Sequence, residues 1–431
     1  LPCVASEKLV ESVTAACRRA GVPDTQCTLP LTPEVTQAAR DAYAKSWVHR
    51  AAKLQYALQD SLPLSQAQWI GTHNSFNSVN DTLTISHADS NQQLSLTQQL
   101  DVDVRALEID IHFIPSLSAG GARVPVVCHG QGPDTLDLGC TTERPLTDVL
   151  PQISAWLNRH RDQVILLYLE DEMKNDAAYP VAVKQLQDVL KRPDGSSLIS
   201  RPAGAQTNAK GCVSLPLSLS RASVRKAGGQ VILTGNCVKG WASLVYGWDN
   251  VHVESGSTPA YKPFPACDAT YPRDVYDTKL VRYYEDSTLV RVTLAPTTPA
   301  VDPERLTPEK VAAMTSCGVN LFGFDQLLPQ DGRLAATIWS WAEGQPDAAA
   351  GPCTVQRRDG RWGSSACTLR RRAACRTSSG WRLSTHAVRS ALAARSCRNL
   401  EARFSFPRSG EDNAQLHAIA GSREPWIARH L

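Results

Sequence analysis

The chain has 431 residues, 42% of them hydrophobic, with 45 lysines and arginines against 42 aspartates and glutamates. That length exceeds one ordinary small core and predicts a single large domain of barrel size with additions. The near balance of +3 gives no electrostatic reason for nucleic-acid binding, though a weakly basic surface suits an anionic membrane, and no run of about 18 apolar residues is present to span a bilayer.

In chain order, the opening "LPCVASEKLV" lacks the basic and apolar regions of a signal peptide and reads as an already trimmed mature end. Residues 1–60 read as a helical extension, because "PEVTQAARDAYAKSWVHRAAKLQYALQ" places apolar residues at helical intervals. Across residues 61–330 short apolar runs alternate with amphipathic segments: "QWIGTHNS", "RALEIDIHF", "VPVVCHG", "LTDVLPQISAWLNRHR", "QVILLYLED" and "YPVAVKQLQDVLKR", and later "QVILTGN", "TPEKVAAMTSCG" and "VNLFGFDQL". Such repetition means a parallel sheet covered by helices, and about eight strands favour an α/β fold of the (β/α)8 TIM-barrel type. Residues 331–431 shift to Arg, Ala, Ser, Trp and Cys without that alternation and read as a small, disulfide-rich accessory domain.

Thirteen cysteines with two methionines, and no C-x-x-C pairs, place the chain in an oxidising, secreted or extracellular setting. Spacing predicts bridges among Cys3, Cys17 and Cys27, between Cys128 and Cys140, between Cys212 and Cys237, and within the group Cys353, Cys367, Cys375 and Cys397. The odd total leaves at least one thiol over.

The chemistry lies at strand ends. In "RALEIDIHF" the two-residue period sends Leu107, Ile109, Ile111 and Phe113 to one face and Glu108, Asp110 and His112 to the other. "THNSF" brings His73 and Asn74, "VPVVCHG" brings His129, and "VILLYLED" ends its apolar run in Glu170, with Asp171 and Glu172 as solvated bystanders. In barrels of this class strand C-termini converge on the reacting groups. Three converged carboxylates would repel by roughly 4 kcal/mol per pair at about 4 Å and intermediate dielectric. Either some are protonated or a cation sits among them. With the Asn74 amide they form an all-oxygen set suited to Ca²⁺, leaving His73 and His129 for proton transfer.

These four motifs, spanning residues 69–173, resemble the strand-end motifs of the X-type catalytic barrel of calcium-dependent phosphatidylinositol-specific phospholipase C. The resemblance implies His73 and His129 as the catalytic pair, Asn74, Glu108, Asp110 and Glu170 around Ca²⁺, and a phospholipid substrate met at a membrane surface. It further implies attack of the inositol 2-hydroxyl on phosphorus, a histidine protonating the departing diacylglycerol oxygen, and Glu108, Glu170 or a histidine as base. Arg282 and Tyr283 in "VRYYEDS" and Asp325 in "LFGFDQL" are further candidates for contacting substrate. The pleckstrin-like, EF-hand and calcium-binding sandwich modules of the signalling enzymes have no counterpart in the sequence, and the insert "IPSLSAGGARVP" leaves specificity open.

More weakly, residues 331–431 resemble C-type lectin fragments out of order. A sugar site there would use Gln345 and Asp347, but Trp362 is followed by Gly363 and Ser364 where that family has an Asn-Asp pair. Two rival readings stand beside the first: a glycerophosphodiesterase or sphingomyelinase D-like lyase on the same barrel, and a carbohydrate-binding protein with an inactive barrel.

Overall fold

The computed structural model describes residues 35–80, 90–137, 144–201, 211–241, 244–256, 261–267, 278–288 and 305–430, with positions 19, 140, 207 and 208 in addition. Cys3, Cys17 and Cys27 lie outside the described residues. Two helices lead in, α1 (Gln37–Ala44) and α2 (Trp47–Leu58). Their first turns are closed by Thr36 and Ser46, whose hydroxyls accept the backbone N–H of Ala39 and His49.

The main unit then alternates strands and helices: β1 (Trp69–Thr72), α3 (Leu96–Asp101), β2 (Ala106–Pro115), β3 (Arg123–Val127), β4 (Arg144–Pro145), α4 (Leu146–Arg159), β5 (Ile165–Asp171), α5 (Ala178–Val189), β6 (Val213–Ser214), α6 (Arg221–Lys226), β7 (Val231–Gly235), β8 (Tyr246–Gly247), β9 (Val251–Ser255), β10 (Leu280–Tyr284), α7 (Pro308–Ser316), β11 (Leu321–Phe324) and α8 (Gly332–Ala336). One sheet joins the strands in the order β6-β8-β7-β5-β2-β1-β11-β10-β9, every pairing along this path parallel. The result is an α/β fold whose sheet forms a half-barrel. The eightfold closure expected from the strand count is not seen among the described residues, because the edge strands β6 and β9 do not pair.

β3 also departs from the parallel scheme. It returns antiparallel to β2, with Pro115 opposite Arg123 and Ile111 opposite Val127. The insert that links them is shorter than the dozen or so residues a parallel crossover needs, so only a hairpin is sterically open. His129 therefore reaches the site by doubling back, alongside the tip of β2.

The two faces of the sheet divide the core. Leu107, Ile109 and Ile111 point outward and are buried with Leu150, Ile153 and Leu157 of α4. Trp69, Ala106, Leu166, Ile232, Leu280 and Leu321 point inward and form an apolar floor at the N-terminal ends of the strands. Each leucine or isoleucine among them is worth about 1.5–3 kcal/mol when buried. Above the floor the same inward positions turn polar, so the floor closes the base of a polar pocket.

Beyond α8 lie two small antiparallel sheets, formed by β12 (Cys353–Gln356), β13 (Trp362–Ser365) and β17 (Trp426–His430), and by β14 (Ala374–Thr377), β15 (Gly380–Leu383) and β16 (Arg403–Phe404), with α9 (Ala393–Arg398) and α10 (Gly410–Ala420). Trp339, Trp341, Trp362 and Trp381 pack with Ala51 and Ala52 of α2. The Gln55 amide ties the same two parts, donating to the Thr337 carbonyl at 3.0 Å and accepting from Trp339 N–H at 3.1 Å. Gln345 and Asp347 are engaged within this fold: Gln345 accepts Ser364 N–H at 2.7 Å and Asp347 accepts Ala349 N–H at 2.9 Å.

Disulfides join Cys128 to Cys140, Cys212 to Cys237, Cys353 to Cys367 and Cys375 to Cys397, all within the expected groupings. A fifth, Cys267 to Cys317, spans 50 residues and links the segment before β10 to the end of α7.

Candidate active site

"THNS" is a strand tip held in place from several sides. His73 N–H donates to the Phe324 carbonyl at 3.1 Å, keeping the β1–β11 ladder for one residue more. Asn74 then adopts a left-handed backbone, φ 43°, which asparagine tolerates better than most residues. Ser75 stitches this turn to β2: its N–H donates to the Glu108 carbonyl at 3.0 Å, and its Oγ accepts Glu108 N–H at 2.9 Å. Gln92 clamps the other side, its amide lying 2.7 Å from the His73 carbonyl, 2.8 Å from that of Phe324 and 3.1 Å from Asp325 Oδ1.

His73 Nδ1 lies 3.3 Å from Asp325 Oδ2, both side chains almost wholly buried. Burial opposes charging the imidazole, but the Asp325 and Glu108 carboxylates outweigh it and raise His73 to about 9. Burial likewise raises Asp325 to about 7, against the stabilising pull of His73. The proton of this pair therefore sits on the imidazole. Asp325 is fixed in turn by Ser287 N–H at 2.6 Å and Asn91 Nδ2 at 3.3 Å.

Across the pocket one oxygen from each of Glu108, Asp110 and Glu170 lies within 4.8 Å of the others. Asp110 is held well above the usual carboxylate range by burial and then by the charges of Glu170 and Glu108. Glu170 is raised to about 7, by burial first and Glu108 second. Arg282 forms an ion pair with Glu108, and its guanidinium lies 5.0 Å from the Tyr284 ring centre and 5.6 Å from that of Tyr168. Gly323 makes room for it: a Cβ there would lie 2.9 Å from Tyr284 Cβ and 3.2 Å from Arg282 Nη2.

The Asn74 amide shows what this ring accepts. In one orientation its Nδ2 donates to Asn91 Oδ1 at 3.2 Å, and its carbonyl oxygen faces both Asp110 oxygens 3.1 Å away. The reverse orientation would donate to Asp110 and turn the oxygen toward His129 Nε2 at 3.2 Å, but would also set it against Asn91 Oδ1. Three carboxylates beside an amide that can turn its oxygen inward make an oxygen-rich donor set that fits a hard divalent cation such as Ca²⁺ and would suit zinc poorly. His112, Cys128 and Cys140 also cluster, but the two sulfurs are bonded to each other and His112 Nδ1 contacts Asp137 at 3.0 Å, so they offer a cation nothing. Cys128 instead anchors the segment that carries His129.

Of the residues singled out in the sequence, His73, Asn74, Glu108, Asp110, His129, Glu170, Arg282 and Asp325 thus meet at one end of the sheet. Asp325, expected to touch substrate, stands behind His73 with its side chain 0% exposed. Tyr283 needs correcting: it points outward into the core, edge-on to Tyr261 at 5.7 Å between ring centres. Its neighbour Tyr284 faces the pocket, its ring centre 5.1 Å from that of His73. Tyr168 faces it too, 4.6 Å from the Trp248 ring. Both were within reach of the sequence, since the two-residue period that turns Arg282 and Glu170 inward turns Tyr284 and Tyr168 inward as well. Asn91 and Gln92 lie in an irregular segment that carries no such signal.

Residues 28–331 match a family model described as the Rv2075c PI-PLC-like domain. "Uncharacterized protein Rv2075c" of Mycobacterium tuberculosis (strain ATCC 25618 / H37Rv) is 56% identical over 424 residues, 98% of this chain and 87% of that protein. The chain belongs to the Rv2075c PI-PLC-like family. "Uncharacterized protein MT2135" of M. tuberculosis (strain CDC 1551 / Oshkosh) matches to the same extent, 56% over 424 residues, 98% of this chain and 87% of that protein. Solved structures similar to this family member include a phosphatidylinositol-specific phospholipase C from Listeria monocytogenes, with 16% identity, 66% of this chain and 97% of that chain covered, and a TM-score of 0.40. One from Staphylococcus aureus gives 11% identity, coverage of 69% and 97%, and a TM-score of 0.42.

Proposed function

We propose that this protein is a secreted, Ca²⁺-dependent phosphodiesterase that cleaves phosphatidylinositol or glycosylphosphatidylinositol-type lipids to diacylglycerol and a cyclic inositol phosphate. The observation that carries the reading is the single ring in which three carboxylates, one side-chain amide and two imidazoles meet above an apolar floor. Membership of a PI-PLC-like family supports a phosphodiester as substrate.

The residues divide the work. His73, kept protonated by Asp325, presents a cation and a proton to the phosphate and its leaving oxygen. The inositol 2-hydroxyl oxygen bonds to phosphorus as the bond from phosphorus to the diacylglycerol oxygen breaks. One proton passes from the hydroxyl to a base of the ring, Glu108, Glu170 or His129, and one passes from imidazole to the departing alkoxide. Arg282, stacked beside Tyr284, offers a fixed donor fork to the headgroup. The apolar floor keeps bulk water from entering below. Ca²⁺, held by Asn74, Glu108, Asp110 and Glu170, would draw charge from a phosphate oxygen and acidify the attacking hydroxyl.

Leu117, at the turn between β2 and β3, is 90% exposed, and Leu136, on the segment after His129, is 91% exposed. Both lie at the pocket end of the sheet and suit contact with the acyl boundary of a bilayer. No helix among the described residues is long and apolar enough to cross a membrane. Five disulfides support an oxidising compartment. A complete (β/α)8 wall is supported by the Asn250 side chain, which donates to the Leu215 carbonyl at 2.9 Å and bridges from β6 toward β9.

Product analysis tests the reading. An inositol phosphate released from phosphatidylinositol only in the presence of Ca²⁺ is expected. Choline, ceramide phosphate or glycerol phosphate as the soluble product of the preferred lipid would contradict it.

A further inference from the structure

Charge is divided unevenly along the chain. Residues 331–431 contain sixteen arginines and no lysine against eight aspartates and glutamates, a balance of +8, which leaves 29 basic and 34 acidic residues, −5, in residues 1–330. Arginine without lysine is the composition of fixed, planar recognition of carboxylates and phosphate or sulfate esters.

The basic segment meets the main unit at a polar cleft of about 540 Å³, a volume suited to a few sugar units. One wall is the N-terminal rim of the sheet, with Gln68 just before β1 and Asn320 just before β11. The other is formed by Arg376, Arg403, Arg408, Trp381 and Gln415. Asp412 positions one of these arginines, its Oδ1 accepting Arg376 Nη1 at 2.7 Å, while its Oδ2 accepts the backbone N–H of Arg408 at 3.0 Å; Glu411 lines the cleft beside it. Arg403 is exposed and makes no ion pair among the described residues. A second, more open cavity of about 500 Å³ shares Arg376 and Arg403 and adds Arg398, so the basic lining continues past the first cleft as a track.

Three classes of polyanion could meet such a track, and two fit poorly. A bilayer is flat and cannot enter a recessed cleft; docking there would also turn the pocket at the opposite end of the sheet away from the lipid. Single-stranded nucleic acid needs exposed rings for its bases, whereas Trp381 is 5% exposed and its Nε1 donates to Asp412 at 2.8 Å. A chain of acidic sugars meets both requirements, with oxyanions for the guanidinium forks and hydroxyls for the amide and serine groups.

We propose that the cleft between the sheet's N-terminal rim and the arginine-rich segment, continued along Arg376, Arg398 and Arg403, binds an acidic polysaccharide and tethers the protein to it with the opposite pocket facing outward. The test is calorimetric titration of the full chain with polygalacturonate, heparin, neutral dextran, an oligothymidylate and anionic vesicles. Polygalacturonate or heparin should bind, with affinity falling as salt rises, and dextran should not. The double variant Arg398→Ser and Arg403→Ser should weaken that binding about tenfold or more through lost charge-assisted contacts, with melting temperature and inositol phosphate release from soluble substrate unchanged. The double variant Arg357→Ser and Arg358→Ser removes the same charge away from the track and should bind as the parent does. Any of four results overturns the proposal: neither acidic glycan binds, the oligonucleotide or vesicles bind more tightly, the track variant binds undiminished, or both variants weaken binding equally.

Discussion

Two clusters of buried charge stand within a few residues of each other in this sheet, and they are built on opposite principles. Around Glu285, two carboxylates share one guanidinium and each is held by donors: Arg333 pairs with Glu285 and with Asp331, and Glu285 also accepts Leu306 N–H and Asp325 N–H, each at 2.6 Å. Around Asp110, three carboxylates face one another with Arg282 as the paired cation, and the Asn74 amide borders them. The first cluster closes a loop behind Asp325. The second crowds carboxyl groups that burial and mutual repulsion push toward their protonated forms, and a substrate-activating cation would let them ionise together. Function is legible here as carboxyl groups crowded against one another, next to carboxylates tied to donors.

Breaking each cluster should therefore have different consequences. The largest effect is expected around the carboxylate ring: His73→Ala or His129→Ala should lower turnover by about 10²–10⁴-fold while the melting temperature moves little. A loss of folding in parallel with activity would reassign these residues to structure. In the Glu285 cluster, Arg333→Met leaves the buried Glu285 and the half-buried Asp331 without their cation and should cost about 3–5 kcal/mol in denaturant unfolding. Asp110→Asn removes a buried carboxyl group whose ionisation its neighbours oppose, so stability should hold or rise slightly while activity disappears. Equal destabilisation by the two substitutions would erase the distinction.

A smaller effect sharpens the same contrast. Ca²⁺ at 100 times its dissociation constant should stabilise the native chain by about 2.7 kcal/mol, and the gain should vanish in Asp110→Asn yet persist in a folded Glu285→Gln variant. Smallest is the contribution of the pocket rim. Leu117→Ser with Leu136→Ser should lower turnover on lipid vesicles several-fold and leave a soluble substrate unaffected, as expected for two side chains that each bury a few methylenes in the bilayer. Equal loss on both substrates would move these leucines into the catalytic pocket.

Much of this site was legible because a strand alternates. Glu108 and Asp110 share a face, and so do Glu170 with Tyr168 and Arg282 with Tyr284. Following the period strictly would have selected Tyr284 over Tyr283. The antiparallel return of β3 was legible as well, from a link too short for a crossover. What could not be read depends on contacts distant in sequence. Asn91 and Gln92 reach His73 and Asp325 from an irregular segment, and the disulfide between Cys267 and Cys317 joins residues 50 positions apart. The edge of the sheet is built from two-residue strands, β6 and β8, too short to leave a hydrophobic period.

The measurement that bears most directly on the central claim is release of water-soluble inositol phosphate from phosphatidylinositol vesicles, first with a Ca²⁺ chelator in excess and then after Ca²⁺ is restored. The strand-tip oxygen ring predicts no release under chelation and full recovery on restoration, with neither in Asp110→Asn. Release that proceeds undiminished under chelation, or none under any condition, would contradict it.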